Sequence, residues 1–243
     1  MTIRRRLVHL MRSLRLDRPI DAVAGSLVSM DTENPVFHLT YDDGPHPVTT
    51  PRVLDALDEH GAKATFFVLT QQAEAHTDIL GEVIRRGHRI GLHTRSHPRL
   101  TELGRDGLID EIRSAHSELE HLAQCEIEWF RPPYGAQNLR SLAVVRSSGM
   151  RTLLWSVDSR DWKGLDTVDP LSGATAELTP GGILLMHDTP VGDNESDDLA
   201  NGYIPKAELT RRYLDELDRL GLEAVSLDEL LSSGRRHRRA KLG

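Results

Sequence analysis

The chain has 243 residues, 38% hydrophobic and 28% charged, a soluble globular balance that fits one large domain or two small ones. Its single cysteine, Cys125, excludes an intramolecular disulfide, so nothing asks for an oxidising compartment. Residues 1–18 carry +5 and residues 235–243 another +5, so the body must hold −17 to give the net −7, which argues against nucleic acid on the main surface.

The chain begins with Arg4-Arg5-Arg6, but Arg12, Arg15, Asp17 and Arg18 interrupt any apolar run, leaving neither a secretory core nor a membrane span. A cytoplasmic location is therefore expected. The two basic ends suit peripheral contact with an anionic membrane, against a plainer reading as a solvated helix and a frayed tail. Residues 1–34 are read as a basic, helical N-terminal segment, 35–232 as the catalytic domain and 233–243 as a basic tail.

Val36–Tyr41 reads as a buried strand that runs into the turn Asp42-Asp43-Gly44-Pro45. Val53, Leu54 and Leu57 mark the next helix, which ends near Gly61. Lys63–Leu69 is a strand, Ile79 to Ile84 a helix and Arg89–His93 a short strand. Leu108, Ile112, Ala115, Leu119 and Leu122 form a long helical stripe. Then follow a strand at Ile127–Arg131, a helix at Leu139–Ser148 and a strand at Thr152–Val157. Strands at Ile183–Met186 and Glu223–Leu227 flank a helix around Leu209, Tyr213, Leu217 and Leu220. Regular alternation implies parallel strands with crossover helices. The expected fold is α/β, a distorted (β/α) barrel of about seven parallel strands; a doubly wound open sheet is the alternative.

Polar motifs fall at successive strand ends, where a parallel barrel would gather them on one face. Asp42-Asp43 follows the first strand and His93-Thr94-Arg95-Ser96-His97 the third. Arg131-Pro132-Pro133-Tyr134 follows the fourth, Asp158-Ser159-Arg160-Asp161-Trp162 the fifth and His187-Asp188 the sixth. Two imidazoles and one carboxylate make a metal site with open positions, and a second carboxylate beside it is a base. Chemistry alone does not say which of Asp42 and Asp43 binds the metal. Each motif has a plainer reading, as a turn, a rigid proline loop or a satisfied core histidine. Their order is what carries the argument.

The chain resembles the polysaccharide deacetylase family, carbohydrate esterase family four or NodB-homology domain, over about residues 35–232. The motifs that carry the resemblance are Thr-Tyr-Asp-Asp-Gly-Pro, His-Thr-Arg-Ser-His, Arg-Pro-Pro-Tyr, Asp-Ser-Arg-Asp-Trp and Leu-Met-His-Asp. The resemblance implies that Asp43, His93 and His97 hold one divalent metal, usually zinc, although the ligand set also suits cobalt, nickel, manganese or iron. It implies Asp42 as general base, with Arg131 paired to it, and His187 as general acid, oriented by Asp158. It further implies that the Tyr134 backbone N–H meets the oxyanion and that Leu185 and Trp162 line a pocket for the acetyl methyl. The implied reaction removes the N-acetyl group from an amino sugar or glycan. A different N-acyl substrate, such as a lipid-linked sugar, or a non-catalytic carbohydrate-binding module are the other readings. The acidic segment Asp193–Asp198 reads as a cationic-substrate lip or, more plainly, as a solvated loop.

Overall fold

In a computed structural model, residues 25–163, 171, 174–191 and 202–240 are described. The strands are β1 (Ser26–Asp31), β2 (Val36–Asp42), β3 (Ala64–Val68), β4 (Arg89–Leu92), β5 (Trp129–Phe130), β6 (Arg151–Thr152), β7 (Val157–Asp158), β8 (Gly182–His187), β9 (Glu223–Ala224) and β10 (Arg235–Arg239). The helices are α1 (Thr49–Glu59), α2 (Thr70–Ala75), α3 (Thr77–Arg85), α4 (Arg105–Ile109), α5 (Ala115–Ala123), α6 (Leu139–Ser147), α7 (Lys206–Leu220) and α8 (Leu227–Ser232). A π-helical turn at Asp110–Ser114 joins α4 to α5, so the long stripe read from sequence is one continuous helical element.

The main sheet has the order β6-β5-β4-β3-β2-β8-β7, with β9 also on β2, and every pairing in it is parallel. It is a half-barrel of seven parallel strands, as the alternation predicts. Parity along each strand separates two cores. Phe37, Leu39 and Tyr41 of β2, Phe66 of β3 and Leu184 and Met186 of β8 pack under the helices, together with Val53, Leu54 and Leu57 of α1. Phe67, Trp129, Ile183 and residues of β1 make the second core. On β2 the other parity starts at the partly buried Val36 and continues with His38, Thr40 and Asp42, these three buried and polar. That stripe leads to the active site.

Three expectations change. The strand expected at Thr152–Val157 is two pieces: β6 pairs with β5 at one edge and β7 with β8 at the other. A curved sheet that stops short of closure leaves a gap, and residues 153–156 span it beside β1, which bridges Leu27 to Leu153. Within 1–34, Ser26–Asp31 is a strand and not helix, because five consecutive buried residues suit a strand inside the fold better than an amphipathic surface helix. The helical reading of residues 1–24 lies outside the described residues. Arg235–Arg239 is likewise no free tail. It pairs antiparallel with β1, Ser26 opposite Arg239 and Asp31 opposite Arg235, so the fold extends past both expected boundaries.

Candidate active site

Two strand ends hold the metal-ligand candidates, Asp43 after β2 and His93 and His97 after β4, and the end of β5 holds Arg131. The parallel ladder runs a rung past each strand: Asp43 N donates to Phe67 O, His93 N to Val68 O and Arg131 N to Leu92 O. Asp43 Oδ1 lies 3.4 Å from His93 Nε2 and 3.4 Å from His97 Nε2. Ligand atoms of the three residues all fall within 4.8 Å of one another. Asp43 Oδ1 is buried and has no hydrogen-bond donor. His93 Nδ1 is 2.7 Å from Arg131 O, which fixes its proton there and turns the Nε2 lone pair toward Asp43. Burial lowers the His93 pKa to about 3, so the ring is neutral as a ligand must be. An unpartnered carboxylate oxygen facing neutral imidazole nitrogens fits a divalent cation.

Asp42 is buried beside this trio. Its Oδ1 accepts from Arg131 Nη1 at 2.7 Å, and its Oδ2 lies 3.7 Å from His93 Nε2. Arg131 is wholly buried and also donates to Thr40 Oγ1, Leu153 O and Leu154 O, with its guanidinium 4.2 Å above the Phe67 ring. Burial raises the Asp42 pKa, and Arg131 offsets only part of that rise.

Across the site, His187 is the Cα partner of Asp42 in the β2–β8 register. Its Nε2 is 3.9 Å from Asp43 Oδ2. The carboxylate that orients it is Asp161 and not Asp158: Asp161 Oδ1 lies 2.7 Å from His187 Nδ1, and Asp161 Oδ2 accepts from His187 N at 2.9 Å. Asp158 is spent on its own turn, where Oδ1 accepts from Arg160 N. Arg160 takes a left-handed φ of 55°, and the turn brings Asp161 back under His187. Burial works against charge on His187, but Asp161, with Asp43 and Asp42 behind it, outweighs burial and pushes the pKa up to about 9.

Two partners went unread in the sequence. Lys206, at the start of α7, is buried and places Nζ 3.0 Å from Asp161 Oδ2 and 3.3 Å from Asp161 O. Asp188 pins the first motif to the last: its Oδ1 accepts from Gly44 N at 3.1 Å and its Oδ2 from Thr50 Oγ1 at 2.6 Å. A Cβ on Gly44 would stand 2.1 Å from Asp188 Oδ2, so only glycine fits that turn. The acid next to His187 was the available signal for the second.

The remaining expected residues ring the site. Tyr134 stacks edge-on to His97 with centroids 4.7 Å apart, and Arg99 lies 4.7 Å above its ring. Leu185 is buried two residues before His187 on the same strand face, opposite Thr40. Trp162 is about half exposed, under Lys163 Nζ at 4.7 Å. A cleft of about 350 Å³ opens on Asp43 and His97 between Leu69, Gln72, Thr189 and Pro190. Asp193–Asp198 lies outside the described residues. Six described non-glycine residues have positive φ, and Asp43 (78°), Thr94 (74°), His97 (65°), Tyr134 (59°) and Arg160 (55°) all belong to these motifs. Strain of this kind concentrates where a site must hold its geometry.

Residues 29–153 match the family model for polysaccharide deacetylase. The chain belongs to the polysaccharide deacetylase family. It is 36% identical to a chitooligosaccharide deacetylase of Azorhizobium caulinodans over 69% of this chain and 80% of that protein. It is 37% identical to a peptidoglycan-N-acetylglucosamine deacetylase of Bacillus cereus over 63% of this chain, which spans 56% of that larger protein. Among solved structures, the Bc1960 peptidoglycan N-acetylglucosamine deacetylase superposes with a TM-score of 0.73 at 28% identity, covering 86% of this chain and 94% of that one. As a member of that family the protein is a metal-dependent deacetylase, a hydrolase with the seven-strand half-barrel of its relatives.

Proposed function

We propose that this enzyme hydrolyses the N-acetyl group of N-acetylglucosamine units in an oligosaccharide or glycan, with zinc as its metal. The observation that carries the reading is the Asp43–His93–His97 group, His93 buried and the other two partly so, with a second carboxylate on one side and a protonatable imidazole on the other. N-acetylglucosamine is the unit shared by the relatives that act on peptidoglycan, and chitooligosaccharide is the acceptor class of the others. When bound, the cation would polarise the acetamide carbonyl and acidify water, which lowers the barrier to attack.

The rest of the work falls to this chain. Arg131 occupies Asp42 Oδ1, so Oδ2 is the oxygen that takes the proton from the attacking water as the new C–O bond forms. The Tyr134 backbone N–H would help hold the charge that builds on the carbonyl oxygen. His187 Nε2 then gives its proton to the sugar nitrogen as the C–N bond breaks, leaving acetate and a free amine. Asp161 on Nδ1 keeps Nε2 turned inward and favours the imidazolium that the step consumes. Leu185, beneath His187, would bound the space for the acetyl methyl, and Trp162 would form its outer wall.

The test is acetyl release from chitooligosaccharides and from peptidoglycan fragments, followed by mass spectrometry with a chelated control and with zinc restored. Chelator-sensitive loss of acetyl groups is expected. Zinc-loaded protein that leaves every N-acetylglucosamine substrate intact would overturn the proposal.

A further inference from the structure

The structure also brings together arginines that lie far apart in the chain. A groove of about 90 Å³ is lined by Arg146 of α6, Arg151 of β6 and Arg236 and Arg238 of β10. Its floor is apolar, formed by Leu27, Leu142 and Met150. Trp129 lines it too, and its buried indole N–H has no acceptor. Glu128 Oε2 lies 3.1 Å from Arg151, and the same oxygen also meets Arg89. Arg235, of the other parity on β10, faces Asp31. The groove draws on the first residues of β5 and β6, whereas the active site uses the strand ends that follow.

The pairing of β1 with β10 adds to this. Ser26 is opposite Arg239, so Gly25, where residues 1–24 join, sits beside the end of β10, after which Lys241 follows. Residues 1–24 hold six arginines against Asp17 and Asp21. The two basic ends, separated by some 200 positions in sequence, therefore enter the fold at one edge.

We infer that this face is a docking surface for the anionic phosphate headgroups of a lipid bilayer. Guanidinium and indole donors suit phosphate oxygens, and an apolar floor suits the glycerol and first methylenes behind them. Each basic residue near an anionic surface adds to attraction that reaches about a Debye length. A bilayer is planar and meets this one face, while a long flexible polyanion would also meet the body, which carries −17. No helix among the described residues is long and apolar enough to cross a membrane.

Flotation of the full chain with vesicles tests this, using phosphatidylcholine alone and phosphatidylcholine mixed with phosphatidylglycerol. Binding is expected only to the anionic vesicles and should fade as salt rises. Arg236→Gln combined with Arg238→Gln should weaken it about 25-fold, near fivefold per arginine. Unchanged deacetylation of a soluble substrate by that variant would show that its fold is intact. Equal binding to neutral vesicles would overturn the inference. So would full binding by the double variant, with loss only on Arg4→Gln, Arg5→Gln and Arg6→Gln. A short DNA duplex that bound as tightly through Arg236 and Arg238 would overturn it too, by making the face a general polyanion site.

Discussion

Asp42 and His187 face each other on paired strands, yet the two arms that secure them are built differently. The base arm has one link. Arg131 meets Asp42 directly, and its other donors are spent on backbone carbonyls and Thr40, all within the sheet and the segment that crosses its gap. The acid arm has two links: His187 is held by Asp161, and Asp161 by Lys206 from α7. Burial resists charge on Asp161, but Lys206 and His187 together hold its carboxyl well below the usual carboxylate range. One arm is therefore set by strand pairing alone, the other also by how a helix docks on the sheet. Damage to the first should stop chemistry outright, and damage to the second should be graded by distance from the imidazole.

The largest effect expected is at the base. Asp42→Asn keeps the shape and the Arg131 contact but cannot take a proton, so kcat should fall about 10³–10⁴-fold. Elemental analysis should find metal bound as in the parent protein, whereas His93→Ala should lose both metal and turnover. An Asp42→Asn enzyme with substantial kcat would move the base elsewhere and dissolve the comparison.

A baseline for a buried ionisable group outside both arms comes from His38, four residues before Asp42 on β2. Its Nδ1 lies 2.8 Å from Val225 O and its Nε2 2.9 Å from Thr65 Oγ1. Burial lowers its pKa to about 4 from an ordinary 6.5. The folded form thus binds fewer protons than the unfolded chain between these values. The stability it contributes is complete above about pH 6.5 and is lost as pH falls toward about 4, on the order of 3 kcal/mol. Denaturant midpoints across that window should drop less in His38→Gln than in the parent, with His88 and His93 supplying the remainder. Identical slopes in the two proteins would show that His38 is not held neutral by the fold.

The base arm could be read without a structure because its parts follow a simple rule. Paired acids after an apolar run, and an arginine after another, land together whenever parallel strands end on one face. The partner of His187 could not be read that way. Asp158 and Asp161 share one loop, and only the left-handed turn at Arg160 decides which returns to the imidazole. Lys206 resembles any lysine opening an amphipathic helix, and nothing in its neighbours marks it as buried. The run Arg235–Arg239 has neither alternation nor apolar residues, because it is held by a backbone ladder to a strand some 200 residues away. Likewise Thr152–Val157 looks continuous in sequence, and its division between two sheet edges follows from curvature that no local pattern encodes.

Next in size is the first link of the acid arm. Asp161→Asn should lower kcat about 10²-fold, since the imidazole loses both its orientation and the charge that favours its protonated form. Asp158→Asn, which alters only a turn, should stay within about twofold. Steady-state kinetics on the pair separates the two acids, and equal losses would return the orienting role to Asp158.

The smallest effect belongs to Lys206. Lys206→Met keeps the length and burial of the side chain but removes the cation from Asp161 Oδ2, leaving that carboxylate tied to His187 alone. Lys206 does not line the cleft, so KM should hold while kcat falls about tenfold, the size of one weakened electrostatic link. Lys206→Arg restores a cation in a different shape and should recover part of the loss. A purely structural lysine would behave otherwise: Lys206→Met would lower the unfolding midpoint with kcat per folded enzyme unchanged, and Lys206→Arg would be no better. The split between kcat and KM therefore decides whether α7 reaches the chemistry through Asp161 or merely caps the sheet.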